Sequence, residues 1–171
     1  MNTPDLIHVH SVGYDLKNAK VEFSRELKLD VSNIIIEGKK GEILNIPRWV
    51  ANVLESEKYV EIQDYDTLQE LKQAITKEEV TGDFDLITLE PHFYIKIKSF
   101  MKRLPEKDYD LTESMLNKLV RTRRSKLVRL ADSSKLTATL SQKLTVEERE
   151  FYNQIHESST KFSKKLLGGK T

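Results

Sequence analysis

The sequence predicts an α+β chain in which a small N-terminal β-rich domain, residues 1–62, precedes a larger all-helical domain, residues 63–171. Three observations carry this. Apolar residues alternate at period two between residues 20 and 46 and at period 3.6 from residue 67 onward. Proline and capping residues punctuate the second stretch at helix-like intervals. The charge also reverses: residues 1–90 hold 10 Lys/Arg against 18 Asp/Glu, net −8, and residues 91–171 hold 18 against 9, net +9. A chain of 171 residues suits one full-sized domain plus a small companion.

Taken in order, residues 1–18 show little periodicity and are expected to be a loose lead-in. Val21 and Phe23, then Leu27, Leu29 and Val31, alternate with polar neighbours as strands do. Ile34, Ile35 and Ile36 form a β-branched run favoured on a pleated, buried surface. Gly38-Lys39-Lys40-Gly41 then predicts a tight reversal, with Glu42 to Ile46 as the returning strand of a hairpin. Pro47, lacking an N–H that a first helical turn cannot use, opens a helix. Trp49, Val50, Val53 and Leu54 form its apolar face, with Arg48, Asn52 and Glu55 turned away, and Lys58 to Ile62 reads as one more strand. The expected core of this domain is Ile34, Ile36, Trp49, Val50 and Leu54.

In the helical part, Thr67 to Glu70 has capping-box spacing, and Leu68, Leu71 and Ile75 give the stripe of a short helix. Phe84 to Leu89 is an apolar connector without an assigned state. Pro91 suits a helix start, with Phe93, Ile97, Phe100, Met101 and Leu104 on one face, and Pro105 ends that helix. Asp110 to Glu113 repeats the cap spacing, and Leu116, Leu119, Val120, Leu127 and Leu130 sustain a helix to about Ala131. Residues 132–144, rich in Ser, Thr and Lys, read as a loop. Thr145 to Glu148 is a third capping box, and Gly168 stands where a C-terminal cap belongs.

The chain offers little chemistry. Without cysteine it has neither disulfides nor thiolate metal sites, which fits a cytosolic or nuclear-type compartment. No run approaches the roughly 20 apolar residues of a membrane span, and the first ten residues do not read as a signal peptide. The six glycines build no phosphate-binding loop. His8 and His10 would share one side of a strand, but no third ligand lies nearby except Asp5 or Asp15. His92 and His156 stand alone, and the pairs Asp64/Asp66, Asp83/Asp85 and Asp108/Asp110 suit turns and helix starts. No catalytic residue, metal or cofactor is expected, and the chain is read as not an enzyme.

The strongest charged feature is Arg121, Arg123, Arg124, Lys126 and Arg129, with Lys118 ahead of them. These cations either pair with carboxylates, of a neighbouring chain or of the acidic first half, or contact phosphate. Pairing is the favoured reading, because groove-reading amides and stacking aromatics are absent from the stretch.

Ile34 to Ile36, a turn, and then Ile46-Pro47-Arg48-Trp49-Val50-Ala51-Asn52-Val53-Leu54 resemble the small domain of GINS replication-complex subunits, where such a helix packs its tryptophan under the sheet. The likeness continues through Leu68 to Ile75, through Pro91-His92-Phe93-Tyr94 and through the basic run at Arg121, and covers about residues 20–131. Arg48 departs from the family's apolar residue, which marks that edge as solvent-facing or at an interface. Small domain first is the order of the archaeal subunit equivalent to the second and third Psf subunits. The resemblance implies a non-catalytic subunit that helps assemble and activate the MCM replicative helicase at DNA replication forks. It implies a 2:2 heterotetramer with a sister GINS subunit, contacts with the MCM helicase and a RecJ-like partner, and a cytoplasmic, nucleoid-associated location. Phe93, Tyr94, Ile97, Arg121, Arg123, Arg124 and Arg129 are the expected interface residues. The alternative is a nucleic-acid-binding protein using the helix from Arg121 to Arg129.

Overall fold

A computed structural model describes residues 3–31 and 34–168, with side chains for 8–30 and 35–168. A small β-rich region precedes a larger helical one, as the periodicity predicts. By its contacts the chain divides into two compact units, one of residues 8–65 and one containing residues 66–168.

The first unit is built around β1 (Asn18–Phe23), whose alternate residues Ala19, Val21 and Phe23 are buried. Four further strands and two helices follow or precede it: α1 (Thr3–Asp15), of which residues 8–15 belong to this unit, β2 (Leu27–Val31), β3 (Ile34–Gly38), β4 (Ile43–Pro47), α2 (Arg48–Ser56) and β5 (Val60–Ile62). β1 is the centre of an antiparallel sheet of order β4-β1-β5, in which Val21 faces Leu44 on one side and Ile62 on the other. β2 and β3 form a separate hairpin, its cross-strand partners Lys28 and Glu37 joined by an ion pair of 3.0 Å.

Three expectations change here. The lead-in is not loose, because residues 3–15 form a helix. On a helix His8 and His10, two residues apart, point in different directions rather than to one side of a strand. The Gly38 to Gly41 turn is present, with Gly41 at φ +81 and the Glu42 N–H donating to the Lys39 carbonyl at 2.9 Å. The strands it joins are not paired with each other, however: β3 pairs with β2, and β4 pairs with β1. The backbone explains the switch, since the Gly41 N–H donates to the Phe23 carbonyl at 2.7 Å and the Phe23 N–H to the Glu42 carbonyl at 2.9 Å. The loop is thereby handed to β1 as it leaves the turn. Gly38 permits the approach, because a Cβ there would lie 2.6 Å from three carbons of the buried Phe23 ring.

α2 starts directly after Pro47 and lays Val50, Ala51 and Leu54 on the sheet, beside Ala19, Val21, Ile46 and Ile62. Trp49 does not join them. It remains 40% exposed and Val53 56%, while Val50, Ile36 and Leu54 are buried; the Ile34 side chain lies outside the described residues. The apolar face of α2 spans positions 49, 50, 53 and 54, and a three-stranded sheet covers only half of that width. Arg48, expected to turn away, is buried instead. Its guanidinium stacks 4.6 Å above the Tyr14 ring and lies 3.7 Å from Asp64.

The second unit comprises α3 (Thr67–Val80), α4 (Phe93–Met101), α5 (Glu106–Ser133), α6 (Ala138–Lys143) and α7 (Val146–Leu167). Leu71, Ala74, Ile75, Phe93, Ile97, Met101 and Leu119 pack α3, α4 and α5 together. Leu86, Leu127, Ala131, Leu144 and Tyr152 form a second cluster around α5 and α7. Sequence spacing misplaces two starts. Asp66, not Thr67, precedes α3 without a side-chain cap, and Thr67 is buried. α5 begins at Glu106, so Pro105 opens this helix, while α4 already ends at Met101, and Asp110 lies inside α5. Within the expected loop 132–144, residues 138–143 form α6, capped by the Thr137 hydroxyl. At α7 both predictions hold: Thr145 and Glu148 make a reciprocal capping box, and Gly168 closes the helix at φ 62.

Candidate interaction site

The basic stretch of α5 sits at the meeting point of the two helical clusters. Leu119 belongs to one and Leu127 to the other, and Arg123 lies one turn from each. Arg123 is therefore on the inward face and fully buried, and Lys126 is buried beside it.

Two carboxylates meet them. Arg123 Nε and Nη2 donate to the two oxygens of Glu148 at 2.6 and 2.8 Å, a bidentate pair joining α5 to α7. Nη1 donates to Glu78 Oε2 on α3 at 2.6 Å and to the Ile87 carbonyl at 3.0 Å, and Nη2 reaches the Lys143 carbonyl at 3.2 Å. Lys126 Nζ donates to Glu78 Oε1 at 2.7 Å and to the carbonyls of Glu78 and Thr81 at 2.9 and 3.0 Å. All five guanidinium N–H bonds and all three ammonium N–H bonds are thus engaged. Glu148 also accepts from the Tyr94 hydroxyl at 2.7 Å and from the Thr145 N–H at 3.1 Å. Two cations and two carboxylates leave the cluster formally neutral, which is the condition for burying charge without a large penalty.

The electrostatics follow from this closure. Burial opposes the charge on Arg123, but the hydrogen-bonded Glu148 carboxylate outweighs it and holds the guanidinium above its ordinary pKa. Burial, reinforced by Glu148, pushes the Tyr94 phenol well above its ordinary value. At the surface nearby, the Lys143 ammonium and then the Leu86 N–H hold the Asp85 carboxyl below the usual range.

Of the cations expected at an interface, the structure therefore withdraws Arg123. Phe93, Tyr94 and Ile97 are likewise buried in the unit's own core, with only an edge of Tyr94 reaching the groove described below. Arg129 is exposed and bridges Asp83 at 2.8 Å, and Lys118 bridges Glu79 at 2.5 Å. Arg121 and Arg124 are exposed on α5, outside this network. Of the carboxylates that hold the cluster together, sequence reasoning places Glu148 only in a capping box and does not single out Glu78. The available signal was Arg123 itself, four residues from Leu119 and from Leu127 and so on the apolar stripe of its own helix.

What the helical unit offers outward is apolar and concave. A groove of about 280 Å3 lies between α4, α5 and α7, floored by Leu116, Val120, Leu127 and Phe151 and rimmed by Lys98, Arg124 and Glu147. In the first unit Trp49, Val53 and Ile43 are exposed. Among the described residues no group of three His, Cys, Asp or Glu is placed to hold a metal, and no helix is long and apolar enough to cross a membrane.

The model of the GINS complex protein helical bundle domain, Sld5, matches residues 66–167. No curated protein matches the chain.

Proposed function

This chain belongs to the GINS complex protein family, and from that premise we propose that it is a non-catalytic subunit that helps assemble and activate the MCM replicative helicase at DNA replication forks. The GINS complex is a DNA replication complex, so membership implies other GINS subunits as partners. The finer reading is a 2:2 heterotetramer of archaeal type with a sister subunit, contacting the MCM helicase and a RecJ-like partner in the nucleoid-associated cytoplasm. The helical unit forms the assembly's core, and the small unit docks on the helicase or closes the assembly. The domain division at about residue 62 is read in the same way, as two functional modules. The chain would act by binding one arrangement of the motor better than another, with no bond chemistry of its own.

The observation that supports this best is the conversion of the α5 cations into an internal clamp beside an open apolar groove. Arg123 and Lys126 are spent on Glu78 and Glu148. The groove beside them, by contrast, carries Arg124 and Lys98 at its rim. Arg121, Arg124 and Arg129 are the cations proposed to meet a sister subunit. Light scattering on the chain mixed with candidate sister subunit tests the reading. A stable complex of two plus two chains is expected, and a mass that never exceeds that of the separate chains overturns it.

Direct contact with DNA is the second reading, and only the exposed Arg121 and Arg124 favour it. Two neutralised phosphates give a slope of roughly −2 in log affinity against log salt. A slope near zero, or one unchanged by Arg121→Ala with Arg124→Ala, rejects DNA contact by this helix.

A further inference from the structure

The last two turns of α7 run free of the body they belong to. α7 runs beside α5 in the same direction: Glu148 meets Arg123, Tyr152 reaches the Leu130 carbonyl at 3.0 Å, and His156 the Ala131 carbonyl at 2.8 Å. Ser159 bonds to Asp132, one residue before α5 ends at Ser133. Residues 161–167 continue as helix and are exposed throughout. The face that packs on α5 continues with them, since Tyr152, Ile155, Ser159, Phe162 and Leu166 recur at spacings of three and four. Tyr152 is fully buried, yet Phe162 is 64% and Leu166 67% exposed. Lys161, Lys164 and Lys165 flank this arm, Lys161 sharing Glu157 at 3.5 Å.

At the other end of the unit, α5 has the opposite character. Its first turns, residues 106–111, are exposed on all sides and carry Glu106, Asp108 and Asp110 against a single Lys107. Tyr109 and Leu111 are exposed among them. Tyr109 also walls a groove of about 340 Å3 with Met101, Leu116 and Glu113, and Lys98 and Lys102 line its α4 side. Acids at a helix start and lysines at a helix end complement the backbone dipole. That accounts for the charges but not for apolar side chains beside them in water.

We infer that the α7 arm docks on the acidic first turns of α5 in a second copy of this chain. Contact within one chain is ruled out by length, since about 22 residues of helix at 1.5 Å each, on the order of 30 Å, separate Leu111 from the end of α5. Pairing of two arms would set lysines against lysines. Two copies side by side and antiparallel bring each arm to the other's α5 start, closing the pair with two identical contacts.

The inference concerns this chain by itself and does not depend on a sister subunit. Sedimentation of the full chain without partners is the test, read at several protein and salt concentrations. A dimer that dissociates as salt rises is expected. Lys164→Glu with Lys165→Glu, or Asp108→Lys with Asp110→Lys, should each weaken it at least tenfold, and the four changes together should restore it. Phe162→Ser with Leu166→Ser should weaken it without altering the circular dichroism, which covers the case in which charge reversal frays a helix end. A monomer at all concentrations, a dimer indifferent to both the charge pairs and the apolar pair, or no recovery in the fourfold variant with helicity intact overturns the inference.

Discussion

Replacing Arg123 by Met keeps the unbranched stem and removes the charge, so the loss is mainly electrostatic. Glu78 retains Lys126 and the Ile87 N–H. Glu148 retains only the Tyr94 hydroxyl and the Thr145 N–H, both neutral donors, for a buried carboxylate. Removing one partner of a buried pair costs about 3–5 kcal/mol, a large part of the roughly 5–15 kcal/mol that holds a typical domain folded. For a chain of this size, about 2–4 °C of melting temperature per kcal/mol puts the shift on the order of 10 °C. Urea unfolding followed by far-ultraviolet circular dichroism measures it, and a second variant isolates the cause. Glu148→Gln in the Arg123→Met background removes the orphaned charge, keeps an oxygen to accept from the Thr145 N–H, and offers its amide N–H to the Tyr94 hydroxyl oxygen, so it should recover at least half of the loss. A cost under about 1 kcal/mol for Arg123→Met, or no recovery on adding Glu148→Gln, refutes the view of a closed ionic cluster.

Leu54→Ala should cost about 2–5 kcal/mol, whereas Trp49→Ala should fall well below the ~3–5 kcal/mol of an enclosed tryptophan; urea unfolding compares the two, and indole emission quenched by iodide reports the exposure directly. Gly38→Ala drives a methyl into the Phe23 ring, which is 1% exposed and has nowhere to move, and overpacking of this kind costs about 1–3 kcal/mol; a stability equal to that of the parent would show that β3 yields. Tyr94 should resist ionisation in the folded state, because burial and Glu148 raise its pKa. Its contribution to stability is then complete below the unfolded value near 10 and is lost as pH rises above it. Near-ultraviolet absorbance should show the Tyr94 ionisation held back until the chain unfolds, and Tyr94→Phe should reduce the absorbance change that accompanies alkaline unfolding.

Local chemistry was legible where one residue decides it. Pro47 starts α2, Thr145 and Glu148 cap α7, and Gly168 takes the left-handed turn that ends it. What failed depended on partners distant in sequence. Gly38 to Gly41 announces that the chain reverses, but which strand receives β4 depends on Phe23, fifteen residues before the turn. Trp49 sits in an apolar stripe, and periodicity cannot tell how wide a sheet will lie beneath it. The same limit applies to Arg123, whose helical position predicts an inward side chain while its charge predicts an outward one. The carboxylates that resolve the conflict, on α3 and α7, are 45 and 25 residues away.

The resolution bears on why an assembly subunit would hold ions where leucines would serve. Apolar groups of similar volume are often as stabilising as a buried pair, so stability alone does not explain the cluster. A guanidinium gripping Glu148 with two parallel bonds and Glu78 with a third is directional in a way that leucine packing is not. It sets α3, α5 and α7 in one register, and of these α5 and α7 line the groove and α7 carries the free arm. Surfaces held in place before contact lose less conformational freedom on binding, and that saving appears as affinity. Restoring stability with Arg123→Met and Glu148→Gln therefore separates two roles. If register matters, the double variant folds well yet binds its partners less tightly; if it binds as the parent does, the ions serve the fold alone.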